Sequence, residues 1–341
     1  MVLGFELLIA LLVILAAAEI FTNALEHLGE RIGISEGVTG SLFAAVGTAL
    51  PESTVPVVAV IAGGANAELN AEIGVGAILG APLMLSTLSL CVMALSVFAR
   101  RGLHGHLRPE RTGLQRDLTF FLVAFAMAFV ALFVPPSLAT VRAGLAIALV
   151  LNYFVYVMLT LRVSAQLVED GHGTEAHGDL FLCRIGLPQK LPVIVAQMAL
   201  GLALLIAGAK GFVYCVEHLS VLLGISPLLL ALLIVPIATE LPEKVNSVIW
   251  IRRGKDTLAF GNITGAMVFQ GSLLPALGLT ITPWRPTLEV VLGVLVTYGA
   301  ALWLFWNARR ESGGLRVWHL LVNGAIYVGY IGTTIALTVA G

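Results

Sequence analysis

The feature that most constrains this chain is a succession of apolar runs, each about 20 residues long, separated by short polar breaks. A helix of about that length crosses the hydrocarbon core of a bilayer. It also satisfies its own backbone hydrogen bonds, which hydrocarbon requires. Ten runs can be marked: about 2–25, 37–62, 71–98, 117–135, 138–163, 190–216, 225–250, 257–281, 286–307 and 317–340. With 58% hydrophobic and 11% charged residues, and a mean hydropathy of +0.97, a soluble fold is excluded. The expected class is an all-α integral membrane protein. A net charge of −1 with no basic stripe gives no sign of a nucleic-acid partner, so membrane lipid is the expected surroundings. The three cysteines show neither metal-ligand spacing nor a pairing framework. The N-terminal "MVLGFELLIA" lacks a positive leader and a small-residue cleavage site, and reads as a retained first span.

Lys and Arg sort the segments between spans. Fifteen of the 19 follow spans 1, 3, 5, 7 and 9, including Arg100, Arg101, Arg252, Arg253, Arg309 and Arg310. Only Arg142 and Arg285 lie on the opposite side, and Lys210 and Lys244 fall inside spans. The positive-inside rule then predicts a multi-pass protein of the cell (inner) membrane with both termini outside the cytoplasm. Trp250, Trp284, Trp306 and Trp318 fall near span ends, where an aromatic belt is expected.

The chain repeats itself. "EHLGERIGIS" (26–35) matches "EHLSVLLGIS" (217–226) at six of ten positions with an offset of 191. The same offset pairs "GTALPE" (47–52) with "ATELPE" (238–243), and "GAILGA" (76–81) matches "GNITGA" (261–266) at an offset of 185. The predicted division is a first five-helix repeat over 1–165, a cytoplasmic linker over 166–189 and a second five-helix repeat over 190–341. Five spans per half is an odd number, so the halves enter the membrane from opposite sides. Such inverted repeats carry a binding site at mid-membrane in many secondary transporters.

Pro51 and Pro242 each remove a helical hydrogen bond. Beside each stand a threonine (Thr48, Thr239) and a carboxylate (Glu52, Glu243), four residues apart and so on one helix face. Carboxylate, hydroxyl and freed carbonyl oxygens are the ligands that hard cations take. Ionisable groups at membrane depth are costly and usually functional. Glu240 adds a third carboxylate, and Lys244 either bridges to it at i,i+4 or turns toward Glu243 and takes a cation's place. Glu19 and Lys210, also related by the 191 offset, either form a buried bridge or make separate contacts.

"GTALPE" and "ATELPE", each followed by a glycine-rich third span, resemble the α-repeats of the sodium/calcium exchanger family among the cation/Ca²⁺ antiporters. The resemblance extends over "AAAEIFTNALEHLGERIGISEGVTGSLFAAVGTALPE" (16–52) and the ten-span layout. It implies that Glu52 and Glu243 bind Ca²⁺, with Thr48 and Thr239 beside them, and that flanking oxygens bind Na⁺. It also implies that spans 1 and 6 slide to alternate access. The family's second motif residue is serine; here it is Ala49 in one half and Glu240 in the other. In the third spans "GAILGAPLML" (76–85) has Ala77, Ala81, Pro82 and Leu85 at polar positions, while "GNITGAMVFQ" (261–270) keeps Asn262 and Gln270.

The resulting expectation is a secondary active antiporter, not an enzyme, with transported Ca²⁺, Na⁺ or H⁺ rather than a resident cofactor. The candidate ion ligands are Glu52, Glu243, Thr48, Thr239, Glu240, Gln270 and Asn262. The alternatives are an H⁺-coupled or Na⁺/H⁺ exchanger without Ca²⁺ transport, and a homologue that binds an ion without moving it. No H-E-x-x-H zinc motif or serine–histidine pair at matched depth supports an intramembrane enzyme. His104, His106, His172 and His177 in cytoplasmic connections are expected to be solvated rather than to hold a metal.

Overall fold

A computed structural model describes residues 2–31, 50–61, 67–168, 179–224, 226–310 and 314–340. In the first half the helices are α1 (Val2–Arg31), α2 (Leu50–Ile61), α3 (Ala67–Met84), α4 (Leu90–Arg101), α5 (Arg111–Leu132) and α6 (Ala139–Val168). In the second they are α7 (Leu191–Leu223), α8 (Pro227–Thr239), α9 (Leu241–Arg252), α10 (Asp256–Ile281), α11 (Leu288–Arg310) and α12 (Val317–Ala340). Among the described residues, seven stretches are long and apolar enough to cross a membrane: 3–21, 68–101, 111–132, 139–160, 191–223, 259–281 and 288–310. The chain is thus a multi-pass membrane protein whose described residues are helical apart from a short ribbon of β1 (His106–Leu107) against β2 (Leu315–Arg316).

Three expected spans differ in detail. The second is described only from Leu50 onward. The third is one long rod in which a π-helical turn, Leu85–Ser89, joins α3 to α4. The seventh is broken at Glu240 into α8 and α9.

Burial divides the helices into two kinds. The 68–101 and 259–281 stretches are 78% and 72% buried, whereas 3–21 and 191–223 are only 24% and 28% buried. The third spans of the two halves therefore form the centre, whereas α1 and α7 turn wide apolar faces outward. Leu8 and Leu12 on α1, and Leu200 and Ile206 on α7, are exposed, as lipid contact requires. α1 and α7 pack along each other through Ile14, Ala17, Leu205, Ala209 and Phe212. Glu19 and Lys210 lie off that seam and both are exposed, so they make no buried bridge.

Packing between the halves is reciprocal. α10 packs on α5 and α6, while α3, the π turn and α4 pack on α11 and α12. α3 also packs tightly on α8. A Cβ built at Gly76 would lie 2.3 Å from the Leu228 carbonyl oxygen, and one at Gly80 2.3 Å from that of Leu232. The Gly-x-x-x-Gly spacing brings the two backbones together, as small residues do between membrane helices.

At the arginine-rich end, Arg101 makes a two-pronged bridge to Asp256 (2.8 and 2.7 Å). Asp256 also accepts from the backbone N–H of Arg108 at 2.8 Å. One aromatic departs from the expected belt. Trp284 is 1% exposed and donates its indole N–H to the Ala128 carbonyl at 3.2 Å. It fills the space over Gly278 instead of facing lipid.

Candidate functional site

The second repeated motif sits where a helix begins. Pro51 is the second described residue of α2, and Pro242 is the second residue of α9, where it starts a helix instead of kinking one. This is where the missing N–H costs nothing. Glu52 lies in the first described turn of α2, and Glu243 in the first turn of α9, where the helix dipole favours a carboxylate. On the other side of the second break, α8 ends at Thr239 and presents its C-terminal carbonyls to the same gap.

The glutamates are deeply buried. Glu52, Glu240 and Glu243 are 1%, 0% and 1% exposed, and Thr239 is 1% exposed. Glu52 comes from one half of the chain, yet it lies within electrostatic reach of Glu243, Glu240 and Lys244 from the other. Among the described residues, neither carboxylate oxygen of Glu52 meets a hydrogen-bond partner on another residue. Lys244 makes the i,i+4 contact: its Nζ stands 3.3 Å from Glu240 Oε2 and donates to the Pro236 carbonyl at 2.9 Å. Of the two arrangements open to it, the structure therefore has the pair with Glu240.

The other expected ligands divide. Asn262 donates its Nδ2 to the Glu243 carbonyl at 3.0 Å and to Ser247 Oγ at 2.9 Å, which holds α10 against the start of α9. Gln270 is fully buried, and among the described residues neither amide atom finds a hydrogen-bond partner. It lies eight residues further along α10, about 12 Å at helical rise, and so apart from the Asn262 contacts. Thr48 falls outside the described residues. Among the described residues, no three His, Cys, Asp or Glu side chains lie close enough together to hold a metal ion. His104 and His106 therefore form no such cluster, while His172 and His177 fall outside the described residues.

A crevice of about 860 Å³ opens between α2 and α7. Ser53, Thr54 and Val57 line one wall, and Ile206 and Lys210 the other.

These features, two matched and buried glutamates inside a membrane bundle, agree with the comparison of the whole chain with known families. The model of the sodium/calcium exchanger protein family matches residues 3–162 and 193–336. The chain belongs to that family. Among curated relatives, the putative antiporter CaxA of Alkalimonas amylolytica is 40% identical over 86 residues, a match covering 25% of this chain and 27% of that protein. The inner membrane protein YrbG of Escherichia coli (strain K12) is 24% identical over 330 residues, covering 94% of this chain and 93% of that protein. Among solved structures, the H⁺/Ca²⁺ exchanger CAX superposes with a TM-score of 0.66 at 16% identity, over 99% of this chain and 89% of its own. That likeness is one of fold.

In this exchanger-family chain two further polar groups join the halves, and motif reading did not single them out. Asn152 on α6 donates to the Phe120 carbonyl on α5 and to Ser272 Oγ on α10, each at 3.2 Å. Asn323 on α12 donates to the Ala300 carbonyl on α11 (3.1 Å) and to the Ser86 carbonyl in the π turn (2.7 Å). The signal was in the sequence. "NYFVY" (152–156) and "NGAIY" (323–327) share Asn-x-x-x-Tyr at an offset of 171. The tyrosines have related surroundings as well. Tyr156 lies within electrostatic reach of buried Asp117, which accepts from Thr264 Oγ1 at 2.7 Å, and Tyr327 lies within electrostatic reach of Glu240.

Proposed function

We propose that this protein is a secondary active cation antiporter. It carries Ca²⁺ or a related cation in exchange for Na⁺ or H⁺, by alternating access to a mid-membrane site built on Glu52 and Glu243. The observation that carries this reading is the burial of two repeat-related carboxylates in mutual electrostatic reach, one of them opening a helix at a break in a membrane span. Two carboxylates balance one divalent ion. The remaining ligands are the hydroxyl, amide and carbonyl oxygens that such ions accept: Thr48, Thr239 and the carbonyls at the end of α8, with Glu240, Asn262 and Gln270 as further members of the polar lining. The naming of CaxA as a putative antiporter and of CAX as an H⁺/Ca²⁺ exchanger supports the same class.

The architecture goes with it as ten spans in two inverted five-helix repeats, 1–165 and 190–341, joined by a cytoplasmic linker, 166–189. Three matched motif blocks, the repeated Asn-x-x-x-Tyr and the reciprocal packing of the third spans support that division. The inner membrane, with both termini outside the cytoplasm, follows from the distribution of Lys and Arg.

Uptake of ⁴⁵Ca²⁺ into proteoliposomes under imposed Na⁺ or pH gradients tests the proposal. Glu52→Gln and Glu243→Gln each remove a charged ligand and should lower flux at least about a hundredfold, the scale of losing a close charge pair. Unchanged flux in both variants would refute the site. A second reading, binding without transport, is favoured by the burial of Ala77, Ala81 and Leu85 where the family carries polar groups. Calorimetric Ca²⁺ binding with no flux would select it.

A further inference from the structure

The acid–base pair beside the two glutamates exists in one repeat alone. At the 191 offset, Glu240 corresponds to Ala49 and Lys244 to Ser53. The second half therefore carries an added carboxylate and an added ammonium together, which leaves the net charge of the group unchanged. The ammonium is well inside the protein: Lys244 is 8% exposed and its partner Glu240 is 0% exposed. Among the described residues it meets a carboxylate oxygen, Glu240 Oε2 at 3.3 Å, and a backbone carbonyl near the end of α8, Pro236 O at 2.9 Å. Carbonyls at the C-terminal ends of half-helices, together with a carboxylate, are the ligands that membrane transporters offer to Na⁺.

Removing Lys244 alone would leave Glu240 as an uncompensated buried charge, which is strongly unfavourable unless another cation enters. With the lysine present, the place is filled by a cation that is covalently tied to the chain and cannot leave with the transported ion.

We propose that Lys244 is a resident cation: its ammonium occupies a monovalent-ion position beside the transport glutamates, so that Na⁺ neither competes at this group nor drives exchange through it. The inference rests on the reading of Glu52 and Glu243 as a Ca²⁺ site. It assigns to the neighbouring Glu240, Lys244 and Pro236 carbonyl the choice of which ions that site senses. Glu52, Glu243 and Tyr327 are the other ionisable groups in electrostatic reach of the pair.

Calorimetric titration of the purified full-length protein with Ca²⁺, in Na⁺ and in choline at equal ionic strength, tests it. Wild type should bind Ca²⁺ with the same affinity in both. Lys244→Ala should become Na⁺-sensitive, with Ca²⁺ binding weakened about tenfold or more in Na⁺ relative to choline, a 1.4 kcal/mol effect. Lys244→Arg, which keeps the charge, should behave as wild type. Glu240→Ala/Lys244→Ala should lose the acquired sensitivity, because the carboxylate ligand is gone.

Tenfold competition by Na⁺ in wild type would overturn the proposal, and so would equal binding in both salts by Lys244→Ala. If Lys244→Ala does not yield folded protein, Lys244→Met, of similar length, serves in its place, and the wild-type comparison stands by itself. Absence of Ca²⁺ binding by wild type would instead overturn the Ca²⁺ reading and this inference with it, which separates the two failures.

Discussion

Asn152 and Asn323 do at residue scale what apolar surface cannot do in lipid. Hydrocarbon is as apolar as leucine, so helices in a membrane are held by close packing and by hydrogen bonds between them. Asn323 is 0% exposed and spans two carbonyls on different helices. One of them, Ser86 O, lies in the π turn, where the regular helical bonding is interrupted. Replacing the side chain leaves both carbonyls short of a donor, at a cost of about 1–3 kcal/mol. Asn323→Ala should therefore lower the thermal unfolding midpoint of the detergent-solubilised protein. Asn323→Leu, which keeps the volume and loses the donor, should lower it too, whereas a purely packing role predicts that leucine restores stability. Asn152, half-buried, should show the same order of effects with smaller size. At this scale the glutamates were legible from their motif. The asparagines carry an equally repeated pattern, yet a lone polar residue in a span has no chemistry of its own until its partners are known.

The helices themselves were mostly readable, because length and hydropathy decide what can cross a bilayer. The break at Glu240 was also indicated, by Pro242. Its form was not, since proline is compatible both with a kink and with the first turn of a new helix. Contact with α8 on one side and α10 on the other decides between them. The glycines of "GAILGA" have a similar history. Read as motif, they marked a span that has lost polar ligands. In the structure Gly76 and Gly80 let α3 touch the backbone of α8. A methyl group at either position meets a backbone oxygen at 2.3 Å, which cannot move without shifting the helix. Gly76→Ala and Gly80→Ala should each cost about 1–3 kcal/mol by overpacking, read as a lower unfolding midpoint, and should slow transport. An alanine at Gly144, which has open space around it, should leave both unchanged.

For the whole molecule, sidedness is a property of the loops. The rule that places the arginine-rich connections in the cytoplasm also places Cys183, half-buried in the short 3₁₀ turn Phe181–Ile185, on that side. A variant retaining Cys183 alone, with Cys91→Ser and Cys215→Ser, should react with a membrane-impermeant maleimide in inverted vesicles and stay unlabelled in intact spheroplasts. The reverse pattern would turn the topology over. The same turn is tied to α1 and α7. Asn23 Oδ1 accepts from Phe181 N (3.1 Å) and from Gln197 Nε2 (2.8 Å), and Gln197 Oε1 accepts from Leu182 N (2.9 Å).

Sequence alone determined that this chain lives in a membrane as a bundle of helices. It also showed that the chain repeats itself and that each repeat commits a glutamate beside a proline. Those properties follow from local quantities: the length of an apolar run, the missing N–H of proline and the recurrence of a short motif. Only the tertiary structure decided that Lys244 bonds Glu240 and the Pro236 carbonyl, that Glu19 and Lys210 stay apart, and that Trp284 points inward. Each of those outcomes depends on which faces of distant helices meet. The energy of a buried charge or ring is set by neighbours far away in the chain.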